Sequence, residues 1–212
     1  MATSQSQRNR RLAEKAARRK AVVAEKRKAD DAIVGGRGTR QILEASRSPI
    51  TTCVVADRLF DTGIGWVVLA RTLPSGLVGA SFFLVDVWCL GVKDAFFAII
   101  TPQKLAERMA ATSEDQPLSE VDPSVARKLL HDAAAYAGSL GLTPSENFAE
   151  VEAIFGDTPL ATETFSFGKD GKPYYVSGPN DSTTRKRRIL DTLLKRVGEG
   201  RFDYLVHVDE FS

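Results

Sequence analysis

The sequence is poor in cysteine and lacks any uncharged hydrophobic run long enough to cross a membrane. Its two cysteines, Cys53 and Cys89, have no C-x-x-C spacing, which excludes a disulfide scaffold and favours a reducing compartment. The longest apolar stretch, residues 81–100, contains three charged side chains, and charges are costly at a bilayer centre. We therefore expect a cytoplasmic protein without a membrane partner, in which this stretch belongs to the core.

The common signatures of nucleotide-binding loops, zinc proteases and serine hydrolases are also missing. Neither histidine, His131 or His207, has metal-ligand spacing to another histidine or to a cysteine. The first thirty residues contain no apolar run of the length found in a signal peptide. We expect no metal, no cofactor and no export.

What the sequence does contain is an uneven distribution of charge. The formal net charge of +2 comes from 29 basic and 27 acidic side chains. Residues 1–31 hold ten basic and four acidic side chains, a net of +6, so the remaining 181 residues have 19 and 23, a net of −4. We predict a basic arm with a flexible, glycine-rich hinge over residues 1–38 and a single domain over 39–212.

The basic arm has the composition of a segment that binds a polyanion. Good helix formers dominate residues 12–29, but the apolar stripe is too thin to bury against a core, so we expect partial helix. Each phosphate that is neutralised releases counterions, which strengthens binding without a shaped pocket. A solubilising tail and a mitochondrial presequence are the alternatives, the second disfavoured by the four acids. The predicted nucleic-acid contacts in the arm are Arg8, Arg10, Arg11, Arg18, Arg19 and Lys20.

From residue 49 onward the pattern is that of an α+β domain. Period-two alternation and β-branched residues predict strands over 50–56, 64–73 and 77–88, the last two joined as a hairpin by Pro74-Ser75-Gly76. The order of elements then predicts a mainly antiparallel sheet with helices packed on one face. Further helices are predicted over 102–111, 123–140 and 143–155, a hairpin over 164–177 around Asp170-Gly171, a helix from 183 to 197 and a strand over 202–208.

The last predicted helix begins with a run of four basic residues. Cations are disfavoured at a helix N-terminus by the macrodipole, whereas phosphate groups are favoured there. A phosphate partner would explain this placement, and a solvated surface offset by acids of the domain is the alternative. The residues of the run are Arg185, Lys186, Arg187 and Arg188, with Lys195, Arg196 and Arg201 following.

Asp86 lies among large apolar residues of the third predicted strand. Because a buried carboxylate needs a partner or a shifted pKa, Asp86, Lys93 and Asp94 form the candidate catalytic cluster. A structural role is the alternative, in which Asp86 pairs with Lys93 or Arg71, or accepts backbone amides where the strand ends. Cys89 is expected to be a buried thiol.

Two functions are consistent with these observations. The first is a non-enzymatic protein that binds RNA or an RNA–protein particle such as the ribosome, with DNA as the second choice. The alternative is a small enzyme that acts on a phosphorylated or nucleic-acid substrate at Asp86, Lys93 and Asp94. A protein partner for the arm is a third hypothesis. The aromatic residues considered for base stacking, on condition that they are exposed, are Trp66, Trp88, Tyr174 and Tyr175.

Overall fold

The computed structural model describes residues 38–113, 116–178 and 181–206, so nearly all of the basic arm and hinge lies outside the described residues. Its centre is an antiparallel sheet with the strand order β4-β3-β2-β1-β5. The α+β class is confirmed. The strands are β1 (Ile50–Ala56), β2 (Ile64–Thr72), β3 (Val78–Asp86), β4 (Gly91–Ile100) and β5 (Leu118–Glu120).

Helices cover both faces of this sheet. One face, which includes Leu69 and Phe83, packs against α1, α4, α5 and a short 3-10 helix. The other face, which includes Val68 and Phe82, packs against α3 through Leu105. Most helices thus lie on one face, as expected, and α3 adds a layer on the second. The α-helices are α1 (Gly38–Ala45), α2 (Leu59–Thr62), α3 (Pro102–Ser113), α4 (Pro123–Ser139), α5 (Phe148–Glu152) and α6 (Thr183–Val197), and the 3-10 helix is Ala153–Phe155.

Strand β4 was not predicted from the sequence. It begins at Gly91, whose φ of +63° and close approach to α4 exclude a side chain, since a Cβ there would lie 2.6 Å from the carbonyl oxygen of Ala133. The register against β3 shifts near the start of β4, where Val92 pairs with Val85 and Asp94 pairs with Leu84. Lys93 therefore has no residue opposite it on β3. A bulge of this kind redirects a side chain.

The predicted start of α5 at residue 143 is wrong. The helix begins at Phe148, and its N-cap residue Asn147 makes no side-chain cap. The reason lies in the sheet, because the backbone amide of Ser145 donates to the carbonyl of Val92 at 2.8 Å. Residues before α5 therefore cover part of the exposed edge of β4 instead of starting a helix.

A second, smaller sheet follows in the chain. Strands β6 (Tyr174–Val176) and β7 (Asp203–Leu205) pair in parallel, and α6 provides the crossover between them. The hairpin predicted over 164–177 is therefore wrong except at its turn. At the turn, Lys169 and Lys172 exchange backbone hydrogen bonds of 2.7 and 3.0 Å. Strand β6 finds its partner on the far side of α6, which no local pattern indicates.

Arg71 is a buried cation with three hydrogen bonds to backbone carbonyls, and the sequence did not single out this role. Its guanidinium donates to the carbonyl oxygens of Ser48, Ile154 and Phe155 at 2.5, 2.8 and 2.8 Å. Burial lowers the pKa of Arg71, and the charge of Asp157 acts in the opposite direction. This residue joins β2 to the end of the 3-10 helix and does not pair with Asp86.

Candidate functional site

Asp86, the centre of the predicted catalytic cluster, closes the loop between β3 and β4. Its Oδ1 atom accepts the backbone amides of Trp88, Cys89 and Leu90 at 3.2, 2.9 and 3.3 Å. A carboxylate that accepts three amides satisfies donors that the tight loop would otherwise leave unpaired. The carboxylate thus holds the loop in shape.

Lys93 completes this cluster from the bulge in β4. Its Nζ atom lies 3.8 Å from Oδ2 of Asp86, and both side chains are only 7% exposed. Within the described ranges the ammonium has no hydrogen-bond partner. Asp94, the third predicted member, accepts the amide of Ala95 at 3.0 Å. The structure brings Asp86 and Lys93 together as a buried ion pair, a geometry that favours the structural role over the enzymatic alternative.

Both thiols lie in the core. Burial raises the pKa of Cys53 to about 12, with the charge of Asp122 adding to the effect. Burial and then the charge of Asp86 raise the pKa of Cys89, whereas Lys93 acts to lower it. Because the thiolate is the nucleophilic form, a raised pKa makes both cysteines unreactive near neutral pH.

The aromatic residues considered for stacking are already engaged. Trp66 and Tyr175 are buried. The indole of Trp88 packs against Gly63, where a Cβ would lie 2.1 Å from the ring, and the ammonium of Lys169 lies 4.8 Å from the ring centroid. The same ammonium lies 4.5 Å from the ring of Tyr174. These four residues do not offer a free stacking surface.

Helix α6 places three of the four residues of the predicted basic run, Arg185, Arg187 and Arg188, on the surface. Its N-cap is Ser182, whose side-chain oxygen accepts the amide of Arg185 at 3.2 Å, and its first turn contains no acid. Ile189 and Leu193 are buried against Tyr175. The inward side of the helix is thereby fixed, and the opposite side faces solvent.

The cations of α6 fall into two groups. Arg185 pairs with Asp181 at 3.4 Å, Arg196 donates to the carbonyl of Ser139 at 2.9 Å, and Lys186 is only 7% exposed. In the remaining group the side chains are exposed and, within the part of the chain that the structure describes, form no hydrogen bond or ion pair. We call these residues, Arg187, Arg188 and Lys195, the basic face.

The burial of Lys186 had a signal in the sequence that our prediction did not use. Lys186, Ile189 and Leu193 stand at i, i+3 and i+7, the spacing of one buried helix side. The basic face occupies the other side, where it is accompanied by the single acid Asp191. Among the predicted contacts that lie in the described residues, Arg187 and Arg188 are the two that are exposed without an ion pair.

Among the predicted residues of the arm and the two histidines, the structure describes only His131. The arm residues and His207 lie outside the described residues. His131 is exposed and lies 3.5 Å from Asp132. In the ranges that the structure covers there is no group of three or more His, Cys, Asp or Glu residues placed to hold a metal ion. Over the same ranges, no helix has the length and apolarity needed to cross a membrane.

Comparison with protein-family models, with curated proteins and with solved structures finds no match for this chain. Function is therefore argued from the side chains themselves.

Proposed function

We propose that this chain is a non-enzymatic protein that binds RNA, free or in an RNA–protein particle such as the ribosome. Binding uses the basic face of α6 together with the basic arm. The observation that carries the proposal is the net positive charge of one exposed helix side, on which Arg187, Arg188 and Lys195 outnumber the single acid Asp191.

The helix macrodipole does not oppose these charges. Arg187 and Arg188 lie in the second turn of α6, where the effect of the helix N-terminus has largely fallen off, and Lys195 lies in the last turn, where a cation is favourable. The attraction for an anionic partner such as phosphate therefore comes from the exposed guanidinium and ammonium groups themselves.

The test is the salt dependence of RNA binding by a triple variant, Arg187→Ala, Arg188→Ala and Lys195→Ala. Each phosphate contact on single-stranded RNA contributes about −0.7 to the slope of log K against log salt, so the slope should become shallower by about 2. Unchanged affinity and slope would contradict the role of the basic face.

A matched control removes three cations that already have partners. Arg40, Arg58 and Lys104 pair with Glu44, Asp61 and Glu107 at 2.9, 3.4 and 3.4 Å. Their simultaneous replacement by Ala changes the net charge equally, so we expect the salt slope to stay near the wild-type value. An equal loss in both triple variants would indicate attraction by net charge alone.

The contribution of the arm is measured separately by deleting residues 1–31. This deletion removes a net charge of +6, and we expect weaker RNA binding with an unchanged thermal unfolding transition. Unaltered binding would remove the arm from the proposal.

A further inference from the structure

We propose that the RNA bound at the basic face is single-stranded, and that one of its bases stacks on Tyr204. This inference rests on the proposed function and specifies the form of its ligand. Tyr204 is 58% exposed, the most exposed large hydrophobic residue in the described ranges, and the sequence analysis did not select it.

The register of the small sheet tells which way Tyr204 faces. Tyr204 of β7 is paired with Tyr175 of β6, and paired residues of neighbouring strands share one face of a sheet. Tyr175 packs against Ile189 and Leu193 of α6. Tyr204 therefore lies on the side of the small sheet that α6 covers, although its own ring is exposed.

Contacts of α6 show which of its two flanks borders β7. Arg196 reaches the carbonyl of Ser139, and a Cβ at Gly141 would lie 3.1 Å from the methyl group of Thr192, so the end of α4 runs along one flank. The opposite flank has Leu190 and Val197, which pack in the same cluster as Phe202 of the segment leading into β7.

The flank toward β7 joins the aromatic residue to the basic face. At 3.6 residues per turn, Leu194 and Arg187 lie beside Leu190 on the helix surface. Leu194 is 49% exposed, so this flank shows solvent an apolar side chain next to Arg187. We infer that the surface changes from aromatic at β7 to apolar and then basic on α6.

The chemistry of this surface fits a single strand better than a duplex. A flat ring on the flank of a helix side with net positive charge offers a stacking site for a base and counter-charges for the phosphates on either side. In a duplex the base faces are already stacked on one another, and only the cations would find partners. The ring centroid of Phe202 lies 6.1 Å from that of Tyr204 at an angle of 35°, which supports the tyrosine from within the protein.

The experiment measures the affinity of the full chain for single-stranded oligouridylate and for its duplex with oligoadenylate. We expect Tyr204→Ala to weaken single-strand binding by roughly 5- to 150-fold without changing the salt slope, because stacking involves no ion release. Tyr204→Phe keeps the ring and should bind like the wild type. Duplex affinity should be equal in all three proteins.

Phe60→Ala provides the matched control. Phe60 is also an exposed aromatic residue, at 41%, but it belongs to α2 and its ring stacks on Phe165 with a centroid separation of 6.0 Å. Its loss should leave RNA binding unchanged. A loss of affinity equal to that of Tyr204→Ala would overturn the specific role of Tyr204.

Failure of this inference and failure of the proposed function give different results. Salt-dependent binding that disappears with the basic face but tolerates Tyr204→Ala would overturn the stacking site alone. Absence of binding sensitive to the basic face would overturn both. A deoxyribose strand of the same sequence tests the sugar, since the 2′-hydroxyl adds a donor and an acceptor, and tighter binding of that strand would overturn RNA as the occupant.

Discussion

The amide nitrogen of Cys89 lies 2.9 Å from Oδ1 of Asp86, in the loop that leads from β3 into β4. This hydrogen bond holds the loop whose Trp88 carbonyl accepts the backbone amide of Tyr174 in β6 at 3.0 Å, so the loop links the two sheets. Cys89 and Leu90 pack in the cluster that contains Ile189 and Leu193 of α6. The carboxylate that seemed a catalytic candidate thus fixes the loop on which the basic helix rests.

Asp86→Ala is expected to destabilise the protein by about 3–5 kcal/mol, because it leaves the ammonium of Lys93 buried without its counter-charge. Chemical denaturation measures this loss. Combining Asp86→Asn with Lys93→Met removes both charges and should recover part of it. A cost below about 1 kcal/mol for Asp86→Ala would contradict the structural role.

Arg71→Met is expected to cost about 3 kcal/mol of unfolding free energy, because the carbonyls of Ser48 and Ile154 lose their donor inside the protein and the carbonyl of Phe155 loses one of its donors. Arg71→Lys should rescue little, since an ammonium cannot reproduce the planar guanidinium fork. Arg40→Lys, on the surface beside Glu44, serves as the control and should change stability by less than about 0.5 kcal/mol. Equal stability of the Arg71 and Arg40 variants would contradict the role of Arg71 in joining β2 to the end of the 3-10 helix.

Ser81→Ala is expected to leave stability unchanged or to raise it. The hydroxyl of Ser81 is fully buried in β3 and has no hydrogen-bond partner within the described ranges. Removing an unsatisfied polar atom eliminates its desolvation cost, while the small lost volume limits any cavity. Thermal unfolding compares the two proteins, and a fall in the midpoint would show that the hydroxyl has a partner.

The unfolding free energy is expected to fall as the pH rises above about 9. The folded pKa of Cys53 is raised to about 12, so the unfolded chain loses its thiol proton first and is favoured increasingly between the ordinary value of 9.0 and about 12. The contribution of the Cys53 thiol to the unfolding free energy is fully present below pH 9. Denaturation of Cys53→Ala across the same range should show a shallower decline, and parallel curves would exclude the thiol as a source of the effect.

The sheet centre could be predicted because its signals are local. Period-two alternation marked β1, β2 and β3, and Asp122-Pro123 marked the start of α4, where Asp122 accepts the amide of Ser124 at 2.8 Å. Strand β4 escaped because Lys93 and Asp94 interrupt its apolar pattern and a bulge breaks its period. The charge of Lys93 is tolerated in this strand because Asp86 lies across the hairpin and pairs with it. The spacing of residues in the sequence does not reveal this contact.

The site was predicted in part for the same reason. The basic run of α6 was visible as composition, but the compensation of Arg185 by Asp181 and of Arg196 by the end of α4 depends on the fold. Tyr204 was overlooked because alternation along residues 202–208 predicted a buried side. Its paired residue on β6, Tyr175, is fully buried, so the exposure of Tyr204 depends on what packs against each strand and is not visible in the pattern.

The small parallel sheet of β6 and β7 cannot hold α6 in place without the rest of the domain. Each strand has three residues, and a two-stranded sheet of that size does not hold together alone in water. The helix keeps its orientation because Cys89, Leu90 and Leu140 from elsewhere in the chain complete its hydrophobic cluster. Residues 174–206 excised or grafted onto another protein would therefore lose the surface that they display here.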